Sequence, residues 1–163
     1  SKSQVIKIFF KGVLIMSEGR KLFYEKSLIW AKTEEQKLYS WMSPVKIEKL
    51  MSDKKKVFTM SNIHSDTLIN KCEFVEQTDL YEFKLYSGAK IICSEFVEFN
   101  IERIWVPLKE INLHEKIVEF NILNNHYFES YAVSVKKVEN VKGYIIDSAD
   151  HVGIVNSFLV KLN

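Results

Sequence analysis

The stretch from Tyr81 to Cys93 constrains the fold more than any other. Tyr81-Glu82-Phe83-Lys84-Leu85-Tyr86 alternates apolar and charged residues with a period of two. An extended chain with that pattern buries one face and wets the other. Ser87-Gly88 follows, then Lys90-Ile91-Ile92-Cys93, so the two runs fold back on each other as a β-hairpin. The same grammar recurs along the chain. Residues 57–60, 105–108, 116–122, 131–138, 143–146 and 158–162 read as short strands, and 5–10 and 13–16 flank a Lys11-Gly12 turn. Many short strands with frequent turns predict a mainly β domain, a sandwich, barrel or folded-over ribbon.

Helix signals are few. Thr33-Glu34-Glu35-Gln36 has the spacing of a capping box, in which hydroxyl and carboxamide each satisfy the other's backbone donor. It predicts a short helix carrying Leu38, Trp41 and Met42 at helical spacing. Ser43-Pro44 then starts a second short helix or strand through Ile47 and Leu50, since proline is tolerated at the first helical position. Asn62-Ile63-His64-Ser65-Asp66 and Asn124-Asn125-His126 read as loops.

Length and composition bound the class. At 163 residues, 47% hydrophobic and only 5 Gly and 2 Pro, the chain reads as one globular domain and not as a fibrous or disordered one. A formal charge of +2 leaves no electrostatic footprint for nucleic acid or an anionic membrane surface. No apolar run reaches the roughly 18 residues of a membrane span, and the first residues lack a signal-peptide pattern. Cys72 and Cys93 sit in apolar, strand-like stretches and read as buried, reduced thiols, which points to a cytoplasmic setting.

Familiar catalytic motifs are absent from the sequence. His64, His114, His126 and His151 are dispersed, and no two stand at metal-ligand spacing. Gly12 and Gly19 do not open a phosphate-binding loop, and there is no Gly-x-Ser-x-Gly elbow. Lys54-Lys55-Lys56 reads as a solvated turn, because Glu48 and Asp53 stand beside it.

The order of segments is more informative. The stretch 79–93, followed by Trp105-Val106-Pro107-Leu108-Lys109-Glu110-Ile111, resembles block B of the inteins and the segment after it. Val133-Ser134-Val135-Lys136-Lys137-Val138 through Gly143-Tyr144-Ile145-Ile146-Asp147 resembles the approach to block F. His151, Asn156 and Phe158-Leu159-Val160-Lys161-Leu162-Asn163 resemble the end of block F and block G. The resemblance spans most of the chain. It implies the horseshoe-like, all-β Hint fold with one or two short helices, as a single splicing domain over residues 1–163. The span between Trp105 and Val133 is too short for a homing-endonuclease insertion, which would make this a mini-intein.

The resemblance also implies roles. Ser1 would attack the preceding carbonyl and move the upstream segment onto its hydroxyl as an ester. A downstream nucleophile would take over that ester, and Asn163 would cyclise to a succinimide and release the downstream bond. Such self-processing is a single-turnover event without cofactor or metal. Its partners are the flanking segments of a host protein, of which phage or microbial replication proteins are common examples. The domain is expected to be a monomer, or one assembled from split fragments, with no nucleic acid or membrane.

The family pattern breaks at two points. Block B usually carries Thr-x-x-His, and here the positions read Cys93-Ser94-Glu95-Phe96. Block G usually has His before the last Asn, and here Leu162 stands there. His64 and His151 are the candidate replacements: His64 as the base for Ser1, whose alcohol needs one more than a thiol does, and His151 as the aid to Asn163. Asp147 and Asp150 stand as alternatives for the carboxylate that block F sometimes holds. His114 and His126 read as surface residues. Two rivals remain at this point, a decayed or cleavage-only Hint domain and a non-enzymatic β-rich binding module.

Overall fold

A computed structural model describes residues 19–163. Ser1 and the expected strands 5–10 and 13–16 lie outside the described residues. Twelve strands follow one another, interrupted by a single α-helix among the described residues. They are β1 (Phe23–Tyr24), β2 (Ile29–Thr33), β3 (Ser40–Met42), β4 (Val57–Met60), β5 (Asp66–Leu85), β6 (Lys90–Cys93), β7 (Glu98–Ile101) and β8 (Ile104–Pro107). After a 3-10 turn (Leu108–Glu110) come β9 (Lys116–Asn121), β10 (His126–Ser148), β11 (Val152–Val155) and β12 (Phe158–Lys161). The helix α1 (Pro44–Ser52) sits between β3 and β4.

Two long strands organise the rest. β5 and β10 pair antiparallel from Leu85↔Ala132 to Ile69↔Ser148. Each also serves a second set of neighbours, β5 pairing with β4 and β6 and β10 with β9 and β1. Register shifts at 132/134, 138/141, 143/144 and 147/148 break the ladder, and bulges of this kind bend a ribbon and deepen its twist. The separate expected strands 131–138 and 143–146 are thus two parts of one strand. The expected hairpin of β5 and β6 is present, with Phe83↔Ile91 and Glu82↔Ile92 in register and Gly88 at φ +97° in the turn, a conformation open to glycine without a Cβ clash.

The bend wraps the larger of two apolar clusters among the described residues. Phe83 of β5, Phe99 of β7 and Phe158 of β12 are fully buried, with ring centroids 5.1 to 5.8 Å apart. Each such burial contributes about 1.5–3 kcal/mol. Cys72 and Cys93 are buried free thiols.

One expected helix does not form. Gln36 does accept a hydrogen bond from the Thr33 backbone N–H, at 2.9 Å, but the Gln36 N–H returns to the Thr33 carbonyl, closing a turn. The chain then enters β3, where Trp41 pairs with Trp30 of β2 and their rings stand 4.8 Å apart. Leu38 is 80% exposed, so the helical spacing carried no buried stripe. Of the helix or strand expected after Ser43-Pro44, the helix forms: Ser43 caps Lys46 and Pro44 takes the first helical position.

Candidate functional site

The end of β10 meets the end of β12. Asp147 is the penultimate residue of β10, and a tight turn through 148–151 leads into β11. Ser148 holds that turn from both sides, its hydroxyl donating to the Val152 carbonyl at 2.7 Å and accepting from the Val152 N–H at 3.2 Å. The turn obliges His151 to take a left-handed conformation, φ +61°, at a cost of about 1–2 kcal/mol for a residue with a Cβ. In that conformation its imidazole folds back four residues onto Asp147.

Asp147 is the hub. Its Oδ1 accepts from the Ser148 N–H at 2.9 Å and lies 2.9 Å from His151 Nδ1; its Oδ2 lies 3.2 Å from the same nitrogen. Oδ2 also accepts from the Asn163 Nδ2–H at 3.2 Å. A carboxylate only accepts, so the Nδ1 that faces it carries a proton. Asp150, the alternative carboxylate, is exposed and uses its backbone N–H on Thr67 Oγ1.

Around Asn163 lies a cleft of about 320 Å³ that Arg20, Lys21, Lys71, Asp147 and Leu162 line with it. Lys71 is the register partner of Asp147 across β5 and β10. Arg20 pairs with Glu76, Lys21 with Glu98 at 2.6 Å and Lys71 with Glu73 at 3.5 Å. The cleft is therefore a balanced polar surface and not a net cationic one.

Leu162 is 3% exposed and belongs to the main core. Its N–H donates to the His151 carbonyl at 2.7 Å, continuing the β11–β12 ladder that pairs Val152 with Lys161. Side chain and backbone together fix the residue that precedes Asn163.

At positions 93–96, the expected match to block B, the side chains make structural contacts. Ser94 Oγ donates to the Arg20 carbonyl at 2.7 Å and accepts from the Leu22 N–H at 3.0 Å, tying this segment to the approach of β1. Glu95 is buried, and its charge helps push the Tyr81 hydroxyl and the Cys93 thiol upward, in both cases after burial itself. Phe96 lies under Lys109, whose ammonium stands 4.8 Å from the ring centroid. It offers no proton to a neighbour.

His64 lies elsewhere, in the turn between β4 and β5 at φ +62°. Its Nε2 is 3.0 Å from the Asn125 carbonyl, and its ring packs 4.9 Å from Tyr127 and 6.2 Å from Phe120. Of the expected site residues, His151 and Asn163 come together through Asp147. His64 does not join that cluster, and Ser1 lies outside the described residues. Asp147 was legible only as one of two carboxylates near His151; the turn that selects it depends on a left-handed histidine that no motif announces.

No protein-family model matches the sequence, and no curated protein matches it. Solved structures do. A DnaB intein from Synechocystis sp. PCC 6803 matches with a TM-score of 0.70 at 15% identity, over 88% of this chain and 99% of that one. An intein from a hyperthermophile gives 0.71 at 12% identity over 88% and 99%. The transcription factor IIB Mvu mini-intein gives 0.67 at 9% identity over 85% and 99%. At such identities the likeness shows the fold, and the chain has the mainly β Hint fold.

Proposed function

We propose that this domain excises itself from a longer polypeptide by protein splicing. The observation that carries the reading is the Asn163 carboxamide on Asp147, at the end of a strand whose preceding residue is locked in the core of a Hint fold. Asn163 Nδ2 would attack its own carbonyl carbon, forming a succinimide as the bond to the downstream nitrogen breaks. The ring has five members, so proximity supplies a large part of the acceleration. His151 stands one carboxylate away and assists this end through Asp147.

At the other end, Ser1 would take the upstream acyl group onto its hydroxyl. A first downstream residue with a hydroxyl or thiol would then receive it by transesterification. Asn163 cyclisation frees the joined segments, and an acyl shift leaves a peptide bond. His64 is the proposed base for Ser1. Every reacting atom belongs to the chain or its flanks, so no cofactor enters the scheme. The flanking segments are the partners, in a single domain over residues 1–163 without an endonuclease insertion.

Phe96 under Lys109 favours a second reading, a domain that only cleaves at its downstream junction. Reporter proteins fused at both ends, the downstream one opening with Ser, Thr or Cys, separate the two. Ligated reporters are expected. Release of the downstream reporter alone selects the cleavage-only reading, and a folded fusion with neither product rejects both.

A further inference from the structure

We infer that Asp147 is the catalytic base for Asn163, and that Leu162 is an apolar latch in place of a penultimate proton carrier. The inference rests on the splicing reading above and assigns the proton transfers within it.

The attacking atom in cyclisation is Asn163 Nδ2, a carboxamide nitrogen that is a poor nucleophile until it sheds a proton. Asp147 Oδ2 accepts the hydrogen bond from that nitrogen at 3.2 Å, within reach of a general base. As the Nδ2–C bond forms, the Nδ2 proton passes to Asp147. As the bond from the Asn163 carbonyl carbon to the downstream nitrogen breaks, the same proton is delivered to the leaving amine. Atoms and charge balance with no outside reagent.

His151 touches Asp147 and not Asn163, so it is a positioning residue. Its Nδ1–H spans both carboxylate oxygens, at 2.9 and 3.2 Å, and the Ser148 N–H holds Oδ1 from the other side. Those contacts leave Oδ2 aimed at Asn163. The other charges facing the group are Lys71, its cross-strand partner, and Arg20 and Lys21 across the cleft.

Leu162 occupies the position beside the scissile residue with a side chain that has no proton to exchange. It is packed in the core, and a Cβ built on Gly153 would stand 3.2 Å from its Cδ1. An imidazole there would put ring nitrogens where the leucine packs apolar atoms into the main core, which is costly for a polar group. The latch fixes where the Asn163 backbone starts, and Asp147 then meets the carboxamide.

The test uses the full chain with a reporter after Asn163. Downstream release and succinimide formation are followed by mass spectrometry from pH 5 to 9, beside the upstream acyl shift read by hydroxylamine release. Asp147→Asn is expected to slow downstream release at least 100-fold more than it slows the upstream step. His151→Gln should slow it about 5–20-fold, less than Asp147→Asn does. Leu162→His should not accelerate it. Release by Asp147→Asn within threefold of the parent, or acceleration by Leu162→His, overturns the inference. A second measurement holds even if the fusion proves inert at both junctions. The side-chain amide resonances of Asn163 should be displaced by the Asp147 carboxylate they donate to and lose that displacement in Asp147→Asn. Amide resonances unmoved by Asp147→Asn would reject the Asp147 contact, whereas an inert fusion whose amide does respond would reject splicing and leave only the contact.

Discussion

Gly153 and Leu162 lie so close that a Cβ on the glycine would stand 3.2 Å from the leucine Cδ1 and 3.0 Å from Thr59 Cγ2. Thr59 has little freedom to yield, because its hydroxyl donates to the Trp30 carbonyl at 2.8 Å and accepts from the Ile154 N–H at 3.4 Å. The leucine is the residue that must move. Gly153→Ala should therefore cost about 1–3 kcal/mol of stability by overpacking. It should also slow release at Asn163 more than chemistry at the upstream junction. Thermal melts and a two-junction cleavage assay check both; an unchanged melting temperature would show that the contact has slack.

The two cysteines should be inert in the folded protein. Burial pushes the Cys72 thiol up to about 12, and its Sγ–H donates to the Pro44 carbonyl at 3.3 Å. Cys93 is fully buried and raised as well, again chiefly by burial. A thiolate is the reactive form, so a disulfide-exchange reagent should find no fast thiol in the native chain and two after unfolding, the number in the sequence. A thiol reacting at the rate of free cysteine in the native state would contradict the packing of β5 or β6.

The β framework was readable because period-two patterning directly encodes which face of a strand is buried, as in β5 beside Phe83 and Leu85. What the pattern does not encode is continuity. Residues 131–138 and 143–146 read as separate strands because Val138 to Val141 contains a register shift, and one strand runs through it. The false helix at Thr33 has a similar origin. Its capping interaction forms, yet pairing of Trp41 with Trp30 outweighs a propensity signal with no apolar stripe behind it. At the site, the residue types were legible at Asn163 and His151. Their connection through Asp147 was not, since it requires a turn geometry set by Ser148 and by the backbone of His151.

Glu119 predicts a pH dependence. Glu119 is buried in β9, and burial raises its carboxyl, partly offset by the hydrogen bond it accepts from Ser87 Oγ at 2.7 Å. In the folded chain it holds its proton at a pH where the unfolded chain has lost it. That contribution to stability is present below the unfolded value of about 4.3 and is lost as pH rises through the higher folded value. Glu119→Gln keeps an acceptor for Ser87 and removes the titration. It should match the parent near pH 4 and melt above it at pH 7. Parallel melting curves at both pH values would show that Glu119 ionises without cost.

His64 admits a direct test of its role. Its Nε2 faces the Asn125 carbonyl at 3.0 Å, so Nε2 carries the proton in the neutral ring and the basic lone pair is on Nδ1. The ring also packs against Tyr127 and Phe120, contacts that a purely architectural residue would make as well. Two substitutions separate the roles. His64→Phe keeps an aromatic ring on Tyr127 and removes the base, whereas His64→Ala removes both. If His64 activates Ser1, both variants should slow the upstream acyl shift about 10–100-fold, with succinimide formation at Asn163 within twofold of the parent. If the ring only packs, His64→Phe should restore the parent rate while His64→Ala lowers stability by about 0.5–1.5 kcal/mol. Hydroxylamine release of the upstream reporter, read beside a thermal melt of each variant, decides between them. Parent-like rates in both variants would remove His64 from the chemistry and leave the base for Ser1 to be sought on another residue.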